Sequence, residues 1–465
     1  MTWRRLAAAG TLVLIGACVT TRLGVPVEEP MRVIGVLRDT TDTAGKPAGK
    51  PAAARPRAED MPGDAAPDFR REGDRDVRIA LATAAPSPGL AATGTWRMVD
   101  DREGVLVRGR PGDAWTLEQR GGQLRAVRAD GFAAAWRQGP LLLRTDRADD
   151  FVLFNGKRYR GVLRFYAADD GVNVLVVNAL SVEQYLRGVI PQEIGGSRTA
   201  AEQPAVEAQA VAARSYTFVR LAAAGGSAAR HASYDMVASS GDQVYGGVDG
   251  ERAFGDAAVL STAGLVLRYG GRIVDAPYSA SCGGETASPE EVWRTGGATY
   301  LRRVSDRIPG TQRYYCDPAP RFAWTRTIES GELDAALRQY LRTYTSVPAA
   351  GPGHATAVAV AERTPSGRVG RLVIDTDAGR YTLRGNDVRY VLRVPGGEIL
   401  NSTYFTVESE TGAGGSLRRL VIRGNGWGHG IGMCQWGAIG RARAGQDFRT
   451  ILRTYYPGTD VGPAN

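Results

Sequence analysis

The chain has 465 residues, of which 43% are hydrophobic, which is ordinary for a globular protein of two or three domains. With 58 Lys and Arg against 49 Asp and Glu, its net charge of +9 favours anionic partners such as nucleic acid, a membrane surface or a cell-wall polymer. The sequence contains no zinc-finger or other nucleic-acid-binding motif, so we expect no nucleic-acid partner.

The N-terminus has the pattern of a bacterial export signal. Arg4 and Arg5 precede an apolar run over residues 6–17, which is too short to span a membrane. Residues 14–18, Leu-Ile-Gly-Ala-Cys, are similar to a lipobox, so residues 1–18 are predicted to be a lipoprotein signal peptide with Cys18 as the lipidated residue. The alternatives are an ordinary signal peptide or an uncleaved anchor. We therefore expect an exported protein, lipid-anchored to a bacterial membrane and facing the cell wall or periplasm.

Residues 19–75 are predicted to be a flexible, disordered linker, because they are rich in Pro, Ala, Gly and mixed charges and contain few large apolar side chains. Residues 76–177 then show short apolar runs separated by glycine-rich turns, which predicts a β-rich part. Within it, Asn155-Gly156 predicts a type I′ hairpin. Together with helices further along the chain, this pattern predicts the α+β class, with a mixed β-rich core and a few helices; that these helices flank a substrate cleft is implied by the family resemblance given below.

Residues 178–320 are predicted to form a helical part around the cleft. An apolar run at 174–177 indicates a buried strand, after which Ser181 and Gln184 form a Ser-x-x-Gln capping box that begins a short helix. Gly188 suits the exit from this helix, where a left-handed residue costs little.

A second helix is predicted from about Pro204 to Leu221, because proline suits a first helical turn and apolar residues follow in a stripe. Glu193 is therefore predicted to lie on a loop between two packed helices. A carboxylate held there can serve as a general acid or base. The alternative is an ordinary solvated glutamate.

Residues 321–465 are predicted to be a β-rich C-terminal part, with one helix at 332–343 and a glycine-rich block at 424–437. Glycine at alternate positions of this block indicates backbone pressed against either a ligand or the core. Trp427, His429 and Gln435 within it can form the wall of a sugar-binding cleft. The alternative is a tight structural turn in which His429 is satisfied by hydrogen bonds.

Three blocks of the sequence resemble the SpoIID/LytB family (stage II sporulation protein D / amidase enhancer). The first comprises Leu180, Tyr185-Leu186, Gly188-Val189, Pro191 and Glu193, followed by Ala-Gln-Ala-Val-Ala-Ala-Arg-Ser-Tyr at 208–216. The second begins at Tyr278 with Tyr-Ser-Ala-Ser-Cys-Gly-Gly-Glu-Thr, and the third is Gly-Asn-Gly-Trp-Gly-His-Gly-Ile-Gly-Met-Cys-Gln-Trp-Gly-Ala at 424–438. Three blocks in the same order are far more specific than a single short motif.

The resemblance implies a peptidoglycan-cleaving lytic transglycosylase, acting on glycan strands stripped of stem peptides and leaving 1,6-anhydro-muramic acid ends. It implies Glu193 as the general acid and base, with a pKa raised by burial. The predicted substrate contacts are Gln209, Arg214, Gln243, Tyr245, Ser281, Trp427, His429 and Gln435. Other members are described as amidase enhancers, so the alternative is a non-catalytic cell-wall-binding protein whose partner is a cell-wall amidase.

Neither a metal nor another cofactor is expected. The three histidines lack metal-binding spacing. The resemblance implies zinc in some members, through a histidine just upstream of the block at 281–284, but Ser279 stands at that position here. Because an exported protein permits disulfides, Cys282 and Cys316 are predicted to pair, which leaves Cys434 as the odd thiol.

Overall fold

The computed structural model describes residues 75–224, 231–393, 397–412 and 416–464. The predicted signal peptide, Cys18 and residues 19–74 of the predicted linker lie outside these ranges. The structure is 36% strand and 24% helix, with strands and helices in largely separate segments, which confirms the α+β class. No helix in the described part of the chain is long and apolar enough to cross a membrane.

The first part of the chain builds two sheets. Its strands are β1 Asp76–Ala85, β2 Gly89–Ala92, β3 Trp96–Val99, β4 Val105–Gly109, β5 Trp115–Arg120, β6 Gln123–Arg128, β7 Arg137–Gln138, β8 Leu141–Thr145, β9 Val152–Phe154, β10 Lys157–Tyr159, β11 Val162–Ala167 and β12 Val174–Ser181. One strand from the middle of the chain, β13 Met236–Val237, joins them. The seven-stranded sheet has the order β13-β1-β12-β11-β8-β3-β4, and the six-stranded sheet has the order β10-β9-β2-β5-β6-β7. Asn155 and Gly156 join β9 to β10 with φ of 49° and 75°, which confirms the predicted type I′ hairpin.

The middle of the chain is mainly helical. Its elements are α1 Val182–Ile194, α2 Gln203–Ala224, α3 Ala253–Ser261, β14 Leu265–Tyr269, β15 Arg272–Ile273, β16 Tyr278–Ser279 and α4 Pro289–Val292. Short 3-10 turns occur at Ala200–Glu202 and Val248–Gly250. Helix α2 matches the predicted second helix, and its alanines at 205, 208, 210, 212 and 213 are fully buried.

The last part of the chain forms a second hydrophobic core, separate from the one formed by the earlier parts. Its final elements then pack against those earlier parts. Its elements are β17 Ala323–Glu329, α5 Ser330–Tyr340, β18 Ala355–Arg363, β19 Val369–Thr376, β20 Gly379–Arg384, α6 Asp387–Val391, β21 Phe405–Thr411, β22 Leu417–Asn425, β23 Met433–Cys434, α7 Gln435–Arg443, α8 Phe448–Tyr455 and β24 Asp460–Pro463. Two three-stranded sheets, β17-β22-β21 and β18-β19-β20, enclose the second core. After them β23 pairs with β16, β24 pairs with β14, and α7 and α8 pack on α2.

Helix α1 begins as predicted but does not end at Gly188. Ser181 is its N-cap and forms the capping box with Gln184, in which each backbone N–H donates to the other residue's side chain at 3.3 Å. The helix continues through Pro191 and ends at Ile194, so the prediction of Glu193 on a loop is wrong: Glu193 lies in the last helical turn.

Gly188 is needed inside α1 for space rather than for a turn. A Cβ at this position would lie 2.6 Å from the ring of Tyr245 and 2.9 Å from the carbonyl oxygen of Gly247. Pro191 packs in a similar way against α3, where a Cβ on Gly255 would lie 2.9 Å from the proline ring. Close packing therefore explains why a glycine and a proline can occur inside this helix. Contacts with Tyr245 and with α3 hold the helix in place beyond these two residues.

We expect Gly188→Ala to destabilise the protein by about 1–3 kcal/mol, because the added methyl group overpacks the contact with Tyr245. The matched control is Gly331→Ala in α5, where a Cβ meets nothing within 4 Å. This change should leave stability unchanged or raise it by up to about 1 kcal/mol. Urea unfolding followed by circular dichroism measures both effects, and equal stabilities for the two variants would contradict the packing argument.

Candidate functional site

The carboxyl group of Glu193 lies where the end of α1 meets the segment at 242–250. Its Oε1 accepts a hydrogen bond of 2.8 Å from the backbone N–H of Val244. Burial raises the pKa of Glu193 to about 7, because loss of water disfavours the charged form more than the Val244 hydrogen bond stabilises it. The residue as a whole remains half-buried, so the carboxyl is desolvated without being sealed off. Near neutral pH both the acid and the carboxylate forms are therefore populated.

Two tyrosines accompany Glu193, of which Tyr185 is fully buried and Tyr278 is half-buried. Burial raises the pKa of Tyr185 and of Tyr278, and the charge of Glu193 adds to the shift of both, which places the three groups within electrostatic range. The hydroxyl of Tyr185 has no hydrogen-bond partner among the described residues, although its side chain is fully buried. A buried hydroxyl beside an acid of raised pKa is a feature expected of a reaction site.

Gln243 holds Tyr278 in place. Its side-chain Nε2 donates to the Tyr278 hydroxyl at 3.0 Å and to the carbonyl oxygen of Ala213 at 3.3 Å, and its Oε1 accepts from Thr217 Oγ1 at 3.1 Å. Gln243 is almost fully buried. The structure thus brings it beside the site, but as a residue that positions Tyr278.

Tyr245 also supports the site from inside. Its hydroxyl donates to Asn178 Oδ1 at 3.0 Å, and its ring centroid lies 5.0 Å from that of Tyr185.

Gln209 and Gln435 join α2 to α7, because Gln435 Nε2 donates to Gln209 Oε1 at 3.2 Å. Both glutamines are buried, and Gln209 Nε2 has no hydrogen-bond partner among the described residues.

Arg214 lies in the interior. Its guanidinium forms two hydrogen bonds with the carboxylate of Glu183, at 2.8 and 2.7 Å, and a third with the carbonyl oxygen of Leu265 at 3.0 Å. Arg214 is fully buried and Glu183 nearly so. The pair links α1, α2 and β14, and the structure gives Arg214 no surface on which a substrate could bind.

The glycine-rich block packs against the segment at 277–283. A Cβ on Gly426 would lie 2.7 Å from the carbonyl oxygen of Ser281, and one on Gly432 would lie 2.0 Å from that of Pro277. The backbones of Ser281 and Trp427 also exchange two hydrogen bonds, of 3.0 and 2.8 Å. Of the two alternatives for the alternating glycines, close contact with the core is therefore the one observed at these positions.

His429 has a structural environment. Its Nδ1 accepts from the backbone N–H of Ile431 at 3.0 Å, so its Nε2 carries the proton and donates to the carbonyl oxygen of Tyr278 at 2.9 Å. The ring contacts that of Trp293 and is only 7% exposed. Trp427 is half-buried, with the guanidinium of Arg321 lying 3.8 Å from its ring centroid.

Sequence reasoning missed Tyr185 and Tyr278 as members of the site. Both occur in the blocks that carry the family resemblance, and that position was the only available signal.

Sequence reasoning also missed the arrangement of the thiols. The Sγ atoms of Cys282 and Cys316 lie 3.7 Å apart as free thiols, whereas a disulfide requires about 2.05 Å. Cys282 and Cys316 therefore lie close together, but the predicted disulfide between them is not formed in the structure.

Comparison with known proteins defines the class. A family model described as "Stage II sporulation protein" matches residues 170–269, the segment that carries Glu193, and one described as "Domain of unknown function (DUF8618)" matches residues 304–432. The chain is 30% identical over 316 residues to an uncharacterized protein of Brachyspira hyodysenteriae (strain ATCC 49526 / WA1), with 67% of this chain and 74% of that protein covered.

Two relatives from Bacillus subtilis (strain 168) have functional names. The amidase enhancer is 27% identical over 351 residues, covering 67% of this chain but only 45% of the relative, so the chain spans less than half of that protein. Stage II sporulation protein D is 27% identical over 300 residues, covering 62% of this chain and 76% of the relative. These matches define a protein with a cell-wall-related function. The chain belongs to the SpoIID/LytB family.

We expect Glu193→Gln to stabilise the protein above about pH 7 and to have no effect below about pH 4.5. Between these values the folded protein keeps a proton on Glu193 that the unfolded chain releases, so stability falls as pH rises through this window. Since one pKa unit corresponds to about 1.4 kcal/mol, the gain above pH 7 should be at most about 3.5 kcal/mol.

Thermal unfolding between pH 4 and pH 8.5 measures this difference. Glu398→Gln is the control, because it removes one exposed carboxylate outside the site. A Glu193→Gln curve that parallels the unsubstituted protein at every pH would contradict the raised pKa.

We expect Arg214→Met to destabilise the protein by about 3–5 kcal/mol, because it leaves the carboxylate of Glu183 buried without its partner. Adding Glu183→Gln to the same chain should recover part of this loss. Urea unfolding measures both variants. A substrate contact at the surface would predict unchanged stability for Arg214→Met and no recovery.

Proposed function

We propose that the protein is a lytic transglycosylase that cleaves peptidoglycan glycan strands, with denuded strands as the preferred substrate. The observation that carries this proposal is the carboxyl of Glu193, whose pKa burial raises to about 7 and which lies within electrostatic range of Tyr185 and Tyr278. A single carboxyl that is populated in both forms near neutral pH suits a reaction that needs an acid and a base at one position. The cell-wall-related function of the family supports the same choice of substrate.

The proposed reaction uses the 6-hydroxyl of muramic acid as the nucleophile. Protonated Glu193 donates its proton to the glycosidic oxygen as the bond from C1 to that oxygen breaks. The resulting carboxylate takes the proton of the 6-hydroxyl, whose oxygen forms the new bond to C1 and closes the 1,6-anhydro ring. Glu193 ends protonated again, so one residue performs both proton transfers without a water molecule as reactant.

The second candidate function is a non-catalytic enhancer of a cell-wall amidase. It is favoured by the match of 351 residues to a relative named amidase enhancer. This function requires a wall-binding surface but no acid of raised pKa, so it leaves the burial of Glu193 unexplained. The half-buried Trp427 is the predicted contact residue with the most suitable aromatic surface for a sugar ring in either function.

We also propose that the protein is exported and acts outside the cytoplasmic membrane, where the family's cell-wall substrates are found. Lipidation of Cys18 would hold it at a membrane surface, and residues 19–75 would let the folded part reach the wall. The net charge of +9 suits glycan strands, whose muramic acids carry carboxylates.

The test is mass spectrometry of the products formed when the full chain is incubated with denuded glycan strands. We expect products that end in 1,6-anhydro-muramic acid, and we expect Glu193→Gln to reduce their rate by about 100-fold or more. The control is Glu207→Gln, which removes a carboxyl of α2 that accepts a hydrogen bond from Ser261 outside the site. It should retain activity.

Each other outcome identifies a different function. Products with ordinary reducing ends would show hydrolysis by water and would overturn the transglycosylase assignment. Absence of products, together with faster cleavage by an added amidase, would support the enhancer function. Full activity in Glu193→Gln would remove Glu193 from the mechanism.

A further inference from the structure

Three cysteines and one aspartate meet inside the protein. The ligand atoms of Cys282, Asp306, Cys316 and Cys434 all lie within 4.8 Å of one another. All four residues are fully buried. They come from separate segments, since Cys282 follows β16, Asp306 and Cys316 lie between α4 and β17, and Cys434 is the N-cap of α7.

The spacing of these atoms fits tetrahedral coordination. With bonds of about 2.3 Å to sulfur and 2.1 Å to oxygen, a tetrahedral zinc site places two sulfurs about 3.8 Å apart and a sulfur and an oxygen about 3.6 Å apart. Here Cys282 Sγ lies 3.7 Å from Cys316 Sγ and 3.4 Å from Asp306 Oδ2. A disulfide would require about 2.05 Å, so the observed separation suits a shared cation better than a covalent bond.

The surrounding groups are those expected around metal ligands. Cys434 Sγ accepts backbone N–H groups from Cys282 at 3.1 Å and from Gly437 at 3.3 Å, an arrangement that stabilises a thiolate. Asp306 Oδ1 accepts from the Tyr455 hydroxyl at 2.6 Å and from the Arg441 guanidinium at 3.0 Å. These bonds fix the carboxylate with Oδ2 towards the sulfurs, which is how neighbouring groups orient metal ligands.

Gly437 makes room for this carboxylate. A Cβ on Gly437 would lie 2.0 Å from Asp306 Oδ2 and 2.1 Å from the Tyr455 hydroxyl. Any other residue here would displace the aspartate from the thiols. The glycine, the aspartate and the three cysteines therefore form a single packed arrangement.

We propose that Cys282, Cys316, Cys434 and Asp306 bind one Zn²⁺ in a closed structural site. Zinc suits three sulfurs and one oxygen in tetrahedral geometry, and a site with four protein ligands is structural rather than catalytic. Binding releases the thiol protons to solvent and involves no oxidation. These ligands come from four separate positions and include no histidine, so the serine at position 279 does not exclude zinc here, and the expectation of no metal is revised.

Zinc also explains why three thiols are buried together in a protein proposed to be exported. One disulfide would use only two of them and leave the third unpaired, whereas a zinc ion takes all three. The site would fasten the N-terminus of α7 to the turn at 281–284, which follows Tyr278. It would therefore hold the glycine-rich block against the strand that carries a residue of the Glu193 site.

The test begins with the full chain carrying Cys18→Ser, purified without chelator. Elemental analysis should find about one zinc per chain. Denaturation with chelator should then release three thiols that react with a thiol reagent. One reactive thiol without zinc would reveal a disulfide, and three thiols without zinc, even after incubation with zinc chloride, would reveal an empty thiol cluster. Either result would overturn the proposal, and neither depends on a substituted ligand.

Substitutions then identify the ligands. Cys316→Ser should lose the zinc, whereas Asp275→Asn, an aspartate that pairs with Arg220 elsewhere, should retain it. Tyr455→Phe should keep one zinc per chain but bind it about 10- to 100-fold more weakly against a competing chelator, because it removes a hydrogen bond to a ligand. Cobalt in place of zinc should give the absorption of a tetrahedral thiolate site; an octahedral spectrum would contradict the geometry. Glu193→Gln should retain its zinc, which separates this test from that of the proposed function.

Discussion

The chemistry of the site depends on the contact between helix α1 and the segment at 242–250. Hydrogen bonds follow this contact along the helix: Gly246 donates to the carbonyl oxygen of Gly188, Val244 donates to Glu193, and Gln192 donates to the carbonyl oxygen of Gly250. Because this segment covers the last turn of α1, it removes water from the Glu193 carboxyl and raises its pKa. The same packing that completes the fold therefore gives Glu193 its raised pKa.

The beginning of α1 could be predicted from sequence, but its end could not. Ser181 and Gln184 form a local capping box, and the hairpin at Asn155-Gly156 is also local, so short motifs were sufficient for both. The extension of α1 through Gly188 and Pro191 depends on Tyr245 and Gly255, which lie far away in the chain. A glycine that provides space for a distant ring is indistinguishable in sequence from one that ends a helix.

Residue identity similarly revealed the candidate catalytic group but not the roles of its neighbours. Glu193 was identified through the family resemblance, and its raised pKa agrees with the expected effect of burial. Arg214 and His429 belong to the blocks that carry the family resemblance, yet the hydrogen bonds described above join both side chains to other parts of the protein. A sequence motif can contain both residues that contact a substrate and residues that hold those residues in position. Only the hydrogen-bond partners seen in a structure distinguish the two kinds.

The second hydrophobic core is physically connected to the site, although it forms its own sheets. Trp324 of this core donates from Nε1 to the carbonyl oxygen of Gly426 at 2.9 Å, and Arg368 donates to the carbonyl oxygen of Cys282 at 2.8 Å. The second core thus holds both the glycine-rich block and the turn after Tyr278. Because His429 in turn donates to the Tyr278 carbonyl, hydrogen bonds connect the second core, through the glycine-rich block, to the backbone of Tyr278. The described residues of the segment at 323–425 therefore support the site by helping to fix the backbone that carries Tyr278.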